Sequence, residues 1–256
     1  MKTYISLFDY SGNWPAYFAA AGNDVILLDI KNGFDINQFE SVEDVFDIIE
    51  DCDGIIAAPP CTDFAVSGAQ YWNKKDLNGT TQKSLDLVYQ VMKFADLFQP
   101  TDPEFDGSFF WVFENPVGRL PKLIPEIGKA YYFDPCDFAG YLDLTDSDHN
   151  ELDRLRKKDG IGITAEENDF IISCNAYTKK TGLWGCFNRN IEIKRIEPVK
   201  CAPQGSFTQR LGGKSEKTKE LRSVTPLGFA KAFYQANFDW CEYDINDMSY
   251  ESLFNN

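Results

Sequence analysis

The apolar run at residues 55–58, Ile-Ile-Ala-Ala, is followed at once by Pro59-Pro60, and this pair constrains the chain more than any other feature. Proline has no N–H to give a sheet ladder, so a strand here stops at the diproline. Cys61 is then the first residue past the carboxyl end of a short buried strand, where open α/β sheets gather their reactive groups. Ser67 and Gly68 follow in a stretch that reads as a mobile loop. A lone cysteine in a turn is more often a small apolar filler than a nucleophile, so other residues must decide its role.

The same grammar recurs along the chain. Residues 4–8 read as a first strand, followed by the turn Asp9-Tyr10-Ser11-Gly12-Asn13. Residues 14–21 open a helix with Pro15 in its first turn and Gly22 at its end. Residues 25–28 form a second apolar strand closed by Asp29, an acid placed as ribose-binding acids are in nucleotide-binding folds. A helix is expected over 42–49, and Asp53 begins the strand that leads to Cys61. Apolar residues at 85, 88, 91, 92 and 95 predict a helix over 83–98. Residues 109–113, Phe-Phe-Trp-Val-Phe, predict a buried strand ending in Glu114-Asn115-Pro116-Val117-Gly118. A carboxyl among such aromatic neighbours has a raised pKa, which suits an acid that holds its proton near neutrality.

From about residue 131 to 205 the alternation of strand and helix breaks down. Residues 177–185 read as a hairpin with a basic tip at Lys179-Lys180. Residues 154–158 read as a solvated basic helix face, and 209–222 as a polar loop with five bases. Thr225 is expected to cap a helix with Pro226 at its first position, running to about Ala236. The tail from Asp239 reads as peripheral. His149 is the only histidine, so histidine triads and multi-histidine metal sites recede.

A chain of 256 residues with 43% hydrophobic content suits one α/β domain with a small insertion. The seven cysteines are scattered and contain no Cys-x-x-Cys pair, which points to a reduced, cytoplasmic protein without a structural zinc. No signal peptide or membrane-spanning run is read. The formal charge of −15 argues against a protein that coats nucleic acid. Its distribution is uneven: residues 153–222 hold fifteen bases and nine acids, a local excess on which a polyanion can rest.

Taken in order, the strand-end elements resemble the cytosine-5 DNA methyltransferase family, in a compact, phage-like form. Phe8 through Gly12 is similar to that family's cofactor turn, with Phe8 in the place of the aromatic that lies against adenine. Asp29 resembles its ribose acid and Asp53 the acid that reads the adenine amino group. Pro60-Cys61 resembles its Pro-Cys nucleophile, with Ser67-Gly68 in its mobile loop, and Glu114-Asn115-Pro116-Val117 resembles its Glu-Asn-Val element. Arg222-Ser223-Val224-Thr225-Pro226 is similar to a late element that supports the recognition domain. The turn differs in that Tyr10 replaces a glycine and Asp9 adds a negative charge.

The resemblance implies a Rossmann-like α/β fold that uses S-adenosylmethionine as cofactor, with a small irregular target-recognition region. Residues 1–150 would bind cofactor and catalyse, 151–210 recognise the target, and 211–256 return to the catalytic domain. Cys61, Glu114 and Asn115 would be catalytic. Phe8, Ser11, Gly12, Asp29, Asp53 and Pro60 would hold the cofactor, and Ser67, Lys179, Lys180, Arg222 and Thr225 would meet the substrate. DNA with a flipped cytosine is the implied partner, in a bacterial or phage-infected cell, with no metal and no membrane. Two further readings stand beside it: the same chemistry on a free pyrimidine nucleotide, and a degenerate module of this fold that only binds DNA or protein.

Overall fold

The computed structural model describes residues 1–38, 49, 51–99, 109–142, 175–198 and 222–240. The expected helix over 42–49, His149, the basic face at 154–158, the polar loop before Arg222 and the tail beyond Trp240 fall outside the described residues, Ile49 apart.

Among the described residues six strands form one sheet, in the order β2-β1-β3-β4-β6-β5. They are β1 (Thr3–Leu7), β2 (Asp24–Leu28), β3 (Gly54–Ala57), β4 (Phe110–Pro116), β5 (Tyr131–Phe133) and β6 (Thr181–Cys186). The first four strands run parallel, and β6 runs antiparallel between β4 and β5. The chain leaves β1 on one side for β2 and later continues on its other side through β3. This reversal of order opens a crevice at the carboxyl ends of β1 and β3, the usual ligand position in such sheets.

Both faces of the sheet are buried, which explains the unbroken apolar runs. Ile5, Leu7, Ile55, Ala57 and Phe113 point to one face, where they meet Leu85, Val88, Val91 and Phe94 of the helix Thr80–Phe98. Tyr4, Ile56, Phe110 and Val112 point to the other, under the short helix Ala16–Ala20 and the helix Leu227–Asn237. That second face is an aromatic layer: Phe229 stacks on Phe133 at 4.2 Å, and Phe233 meets Trp14 and Phe110 edge-on. Pairs of this kind add roughly 0.5–1.5 kcal/mol each to what their buried area gives.

Several expectations are corrected. The strand expected to stop at Phe113 continues through Glu114, Asn115 and Pro116, because β6 supplies partners from Leu183 to Thr181. The expected hairpin at 177–185 is instead this strand, so part of the span assigned to target recognition belongs to the main sheet. Thr225 does not cap the last helix. Pro226 takes the cap position, and the side chain of Asn175 accepts from the N–H of Gly228. No helix among the described residues is long and apolar enough to cross a membrane.

Candidate active site

The turn after β1 is built around a buried carboxylate. Asp9 accepts from the Ser11 hydroxyl at 2.6 Å, the Gly12 N–H at 3.0 Å and the Trp14 N–H at 3.2 Å. A short acid followed by serine and glycine is a turn-forming sequence, since such side chains capture the N–H groups just ahead of them. Gly12 has φ 67°, and a Cβ there would press on Leu27 at 3.2 Å. Phe8, with φ 60°, is the only non-glycine residue in the left-handed region among those described. Backbone strain of this kind costs about 1–3 kcal/mol and gathers at functional sites. The Phe8 ring packs partly against the Ile5–Leu7 face of the core.

Asp29 ends β2 at the same edge of the sheet and accepts from the Lys31 N–H at 2.8 Å. Its carbonyl accepts from the N–H of Phe34, which folds the following loop back and brings Asp35 to this edge. Asp35 was not singled out in the sequence; its signal is an acid just after Gly33-Phe34, where the loop must turn. Asp53 lies elsewhere. It precedes β3, and its carboxylate accepts from the Thr3 N–H at 2.7 Å. Both residues sit where parallel strands begin, so Asp53 stands at the opposite edge of the sheet from Phe8 and Asp29. The expectation that it contacts the cofactor is corrected on that ground.

Cys61 follows the diproline at the end of β3, half-buried and without a disulfide. Its carbonyl accepts from the N–H groups of Phe64 and Ala65, closing a tight turn. The segment beyond is not an open loop at its start: Ala65 bridges Gly118, and Ser67 and Gly68 lie on the 3-10 turn Val66–Tyr71. Ser67 itself is exposed.

Glu114 and Asn115 leave β4 in opposite directions, as neighbours on a strand must. Asn115 is fully buried and donates to the carbonyl of Pro59 at 3.2 Å. Glu114 points to the aromatic face, where its Oε2 is buried with no hydrogen-bond partner among the described residues. It lines a small, partly open cleft with Phe133, Tyr177, Lys179, Thr181, Thr225 and Phe229. Burial raises the Glu114 carboxyl above its ordinary 4.5; Lys179 pulls it down and Asp9 pushes it up. Burial also raises the Cys61 thiol above 9.0, Glu114 adds to this, and Lys179 and Arg222 oppose it. The thiol, the acid and the two cations therefore share one electrostatic neighbourhood.

The cations are held by long-range contacts. Lys179 donates to the Arg222 carbonyl at 3.4 Å, and the carbonyl of Thr225 accepts from the Asn13 side chain at 3.3 Å. Lys180 is exposed and fixes the site through its backbone, its carbonyl accepting from the Val117 N–H. Thr181 and Tyr177, which line the cleft, were not singled out beforehand. No local signal marks Thr181: residues 181–186 read Thr-Gly-Leu-Trp-Gly-Cys, and pairing with β4 and β5 is what makes them a strand. Among the described residues no group of histidines, cysteines and acids is arranged to hold a metal ion.

No protein-family model matches the chain, and no curated protein matches it. Among solved structures it is similar to a candidate DNA modification methyltransferase encoded within a prophage of E. coli, at 15% identity and a TM-score of 0.39, over 84% of this chain. The chain spans 56% of the length of that structure.

Proposed function

We propose that this chain is a DNA methyltransferase that acts on carbon 5 of cytosine, with Cys61 as nucleophile and Glu114 as the acid. The observation that carries this reading is the pairing at one sheet edge of a thiol and a buried carboxyl whose Oε2 has no hydrogen-bond partner among the described residues, tied together through Asn115 and Pro59. Cytosine carbon 5 is too weak a nucleophile to be methylated unaided. Addition of the Cys61 thiolate to carbon 6 makes the ring enamine-like. A protonated Glu114 gives its hydrogen bond or proton to ring nitrogen 3 as charge develops there, and its raised pKa keeps that proton available. Loss of the proton from carbon 5 then re-forms the double bond and expels the Cys61 thiolate.

S-adenosylmethionine, when bound, supplies the methyl group that carbon 5 takes. The residues at the carboxyl ends of β1, β2 and β3 fit such a group. In nucleotide-binding folds the N–H groups of the first turn grip phosphate. Here Asp9 already occupies those of Gly12 and Trp14 and brings a negative charge, so the turn favours a cationic nucleoside over a phosphate-bearing one. Phe8 offers a ring face, Ser11 and Gly12 shape the turn, Asp29 and Asp35 offer acceptors, and Pro60 forms the wall beside Cys61. Lys179 on the cleft and Arg222 near the thiol, with the exposed Lys180 beside them, put positive charge here within an acidic chain, which supports a polyanionic substrate such as DNA. A base in a duplex must be flipped out to reach the site.

The test is transfer of a labelled methyl group from S-adenosylmethionine to duplex DNA, single-stranded DNA and deoxycytidine monophosphate in parallel, with Cys61→Ser as control. Label on carbon 5 of cytosine in DNA, lost in the control, is the expected result. Label on the mononucleotide alone keeps the chemistry and discards the DNA substrate. Cofactor binding without transfer points to the degenerate binding module.

A further inference from the structure

The segment after Cys61 is fastened by two crossed ion pairs. Asp63, 3% exposed, accepts from the Ser84 hydroxyl at 2.5 Å and pairs with Lys75 at 2.7 Å, and Lys75 also donates to the Thr62 carbonyl at 2.7 Å. Arg119, 9% exposed, sends both ends of its guanidinium to the Asp76 carboxylate at 2.7 Å. The same guanidinium donates to the Asp63 carbonyl at 3.0 Å and to the Thr81 hydroxyl at 2.8 Å, and the ring of Trp72 lies over it at 4.8 Å. The backbone N–H of Arg119 donates to the Phe64 carbonyl. The helix Trp72–Leu77 is thereby strapped down at two successive residues, Lys75 and Asp76, onto the turn that begins at Cys61. Arg119 holds the Asp76 carboxyl down to about 2, so the fork stays charged at any physiological pH.

We propose that Arg119, with Asp63, is a positioning residue of the reaction: it clamps the turn of Cys61 to the end of β4 and so sets the thiol against Glu114. Arg119 lies five positions after Glu114 on the same run of chain, and Asp63 two positions after Cys61, so the clamp fixes the spacing of nucleophile and acid. A planar bidentate fork does this where a lysine would not, because two parallel bonds fix orientation as well as distance. The inference rests on the reading of Cys61 as nucleophile.

The test uses the full chain with Arg119→Lys, which keeps the charge and loses the fork, and Asp76→Asn, which cuts the fork at its more exposed end. Two quantities are read in variants that melt as the wild type does: kcat and KM for methyl transfer to DNA, and the rate at which iodoacetamide alkylates Cys61 across pH, followed on the Cys61 peptide by mass spectrometry. The expected result is a kcat lowered roughly 10- to 100-fold, in keeping with a misplacement of about an ångström, with KM for S-adenosylmethionine within about twofold. Alkylation is expected to quicken and its pH profile to move towards that of an ordinary thiol as the turn loosens. Unchanged alkylation, or unchanged kcat, in both variants overturns the proposal. If the wild type methylates none of the substrates, the functional reading falls, and the alkylation profile alone decides whether Arg119 clamps Cys61.

Discussion

The side-chain amide of Asn115 donates to the Pro59 carbonyl at 3.2 Å, so the strand that carries the acid is bonded to the turn that carries the thiol. Asn115→Ala leaves that carbonyl buried without its donor, at a cost of about 1–3 kcal/mol in stability. Methyl transfer is expected to lose roughly 100-fold in kcat, because Cys61 and Glu114 lose their common reference. Thermal melts and steady-state kinetics check the two effects. Full kcat in the variant would sink the assignment.

Glu114 is held in an environment that disfavours its charge, chiefly through burial. A carboxyl whose folded pKa lies above its unfolded value supports the fold at low pH, and that support is lost as pH rises through the folded value. Glu114→Gln has no such charge to bury. The variant is expected to be inactive yet to melt a few degrees above the wild type at pH 8, with the gap closing by pH 4. Melting curves at the two pH values decide, and a gap independent of pH rules the explanation out.

The Cys61 thiol responds to neighbours of both signs. Its alkylation is expected to be slow at neutrality and to climb only above about pH 9, the ordinary thiol range. Glu114→Gln removes a negative neighbour and shifts the profile to lower pH. Lys179→Met removes a positive one and shifts it higher. An unmoved profile in both variants would show that burial alone governs the thiol.

Asp53 and Asp29 were expected to act on the same ligand, and their positions separate them. Asp53→Ala should cost about 1–2 kcal/mol through the lost bond to the Thr3 N–H and leave S-adenosylmethionine affinity within twofold. Asp29→Ala should weaken that affinity about tenfold, the loss of one hydrogen bond to a charged group. Calorimetric titration of both variants separates the two, and a weakened cofactor in Asp53→Ala would return that residue to the site.

Much of this arrangement was legible in the sequence because it is local. The apolar runs at β1, β2, β3 and β4 announce buried strands, and the diproline marks where β3 stops. The residues that follow those ends are then neighbours by topology alone. What was hidden depends on distant partners. β6 carries Gly182 and Gly185, which weaken any strand signal, yet both are required by neighbours: a Cβ on Gly182 would strike the Trp184 ring, and one on Gly185 the Trp111 carbonyl. Trp111, and Tyr132 that also crowds Gly182, come from neighbouring strands and not from the local pattern. The Arg119 clamp was hidden for the same reason, since Arg119 meets Asp76 and Thr81 across some forty positions of chain. The misplacement of Asp53 has another source: in a parallel sheet the start and the end of a strand belong to opposite rims, whatever their distance in sequence.

The antiparallel β6 wedged between β4 and β5 has a consequence for how firmly that edge of the sheet is held. The segments on either side of β6 are stitched to the one that follows β5: the Cys136 N–H donates to the Tyr177 carbonyl, and the Gly140 N–H to that of Lys194. These bonds use backbone groups alone, so a side-chain exchange on either segment leaves the pairing of β5 and β6 undisturbed.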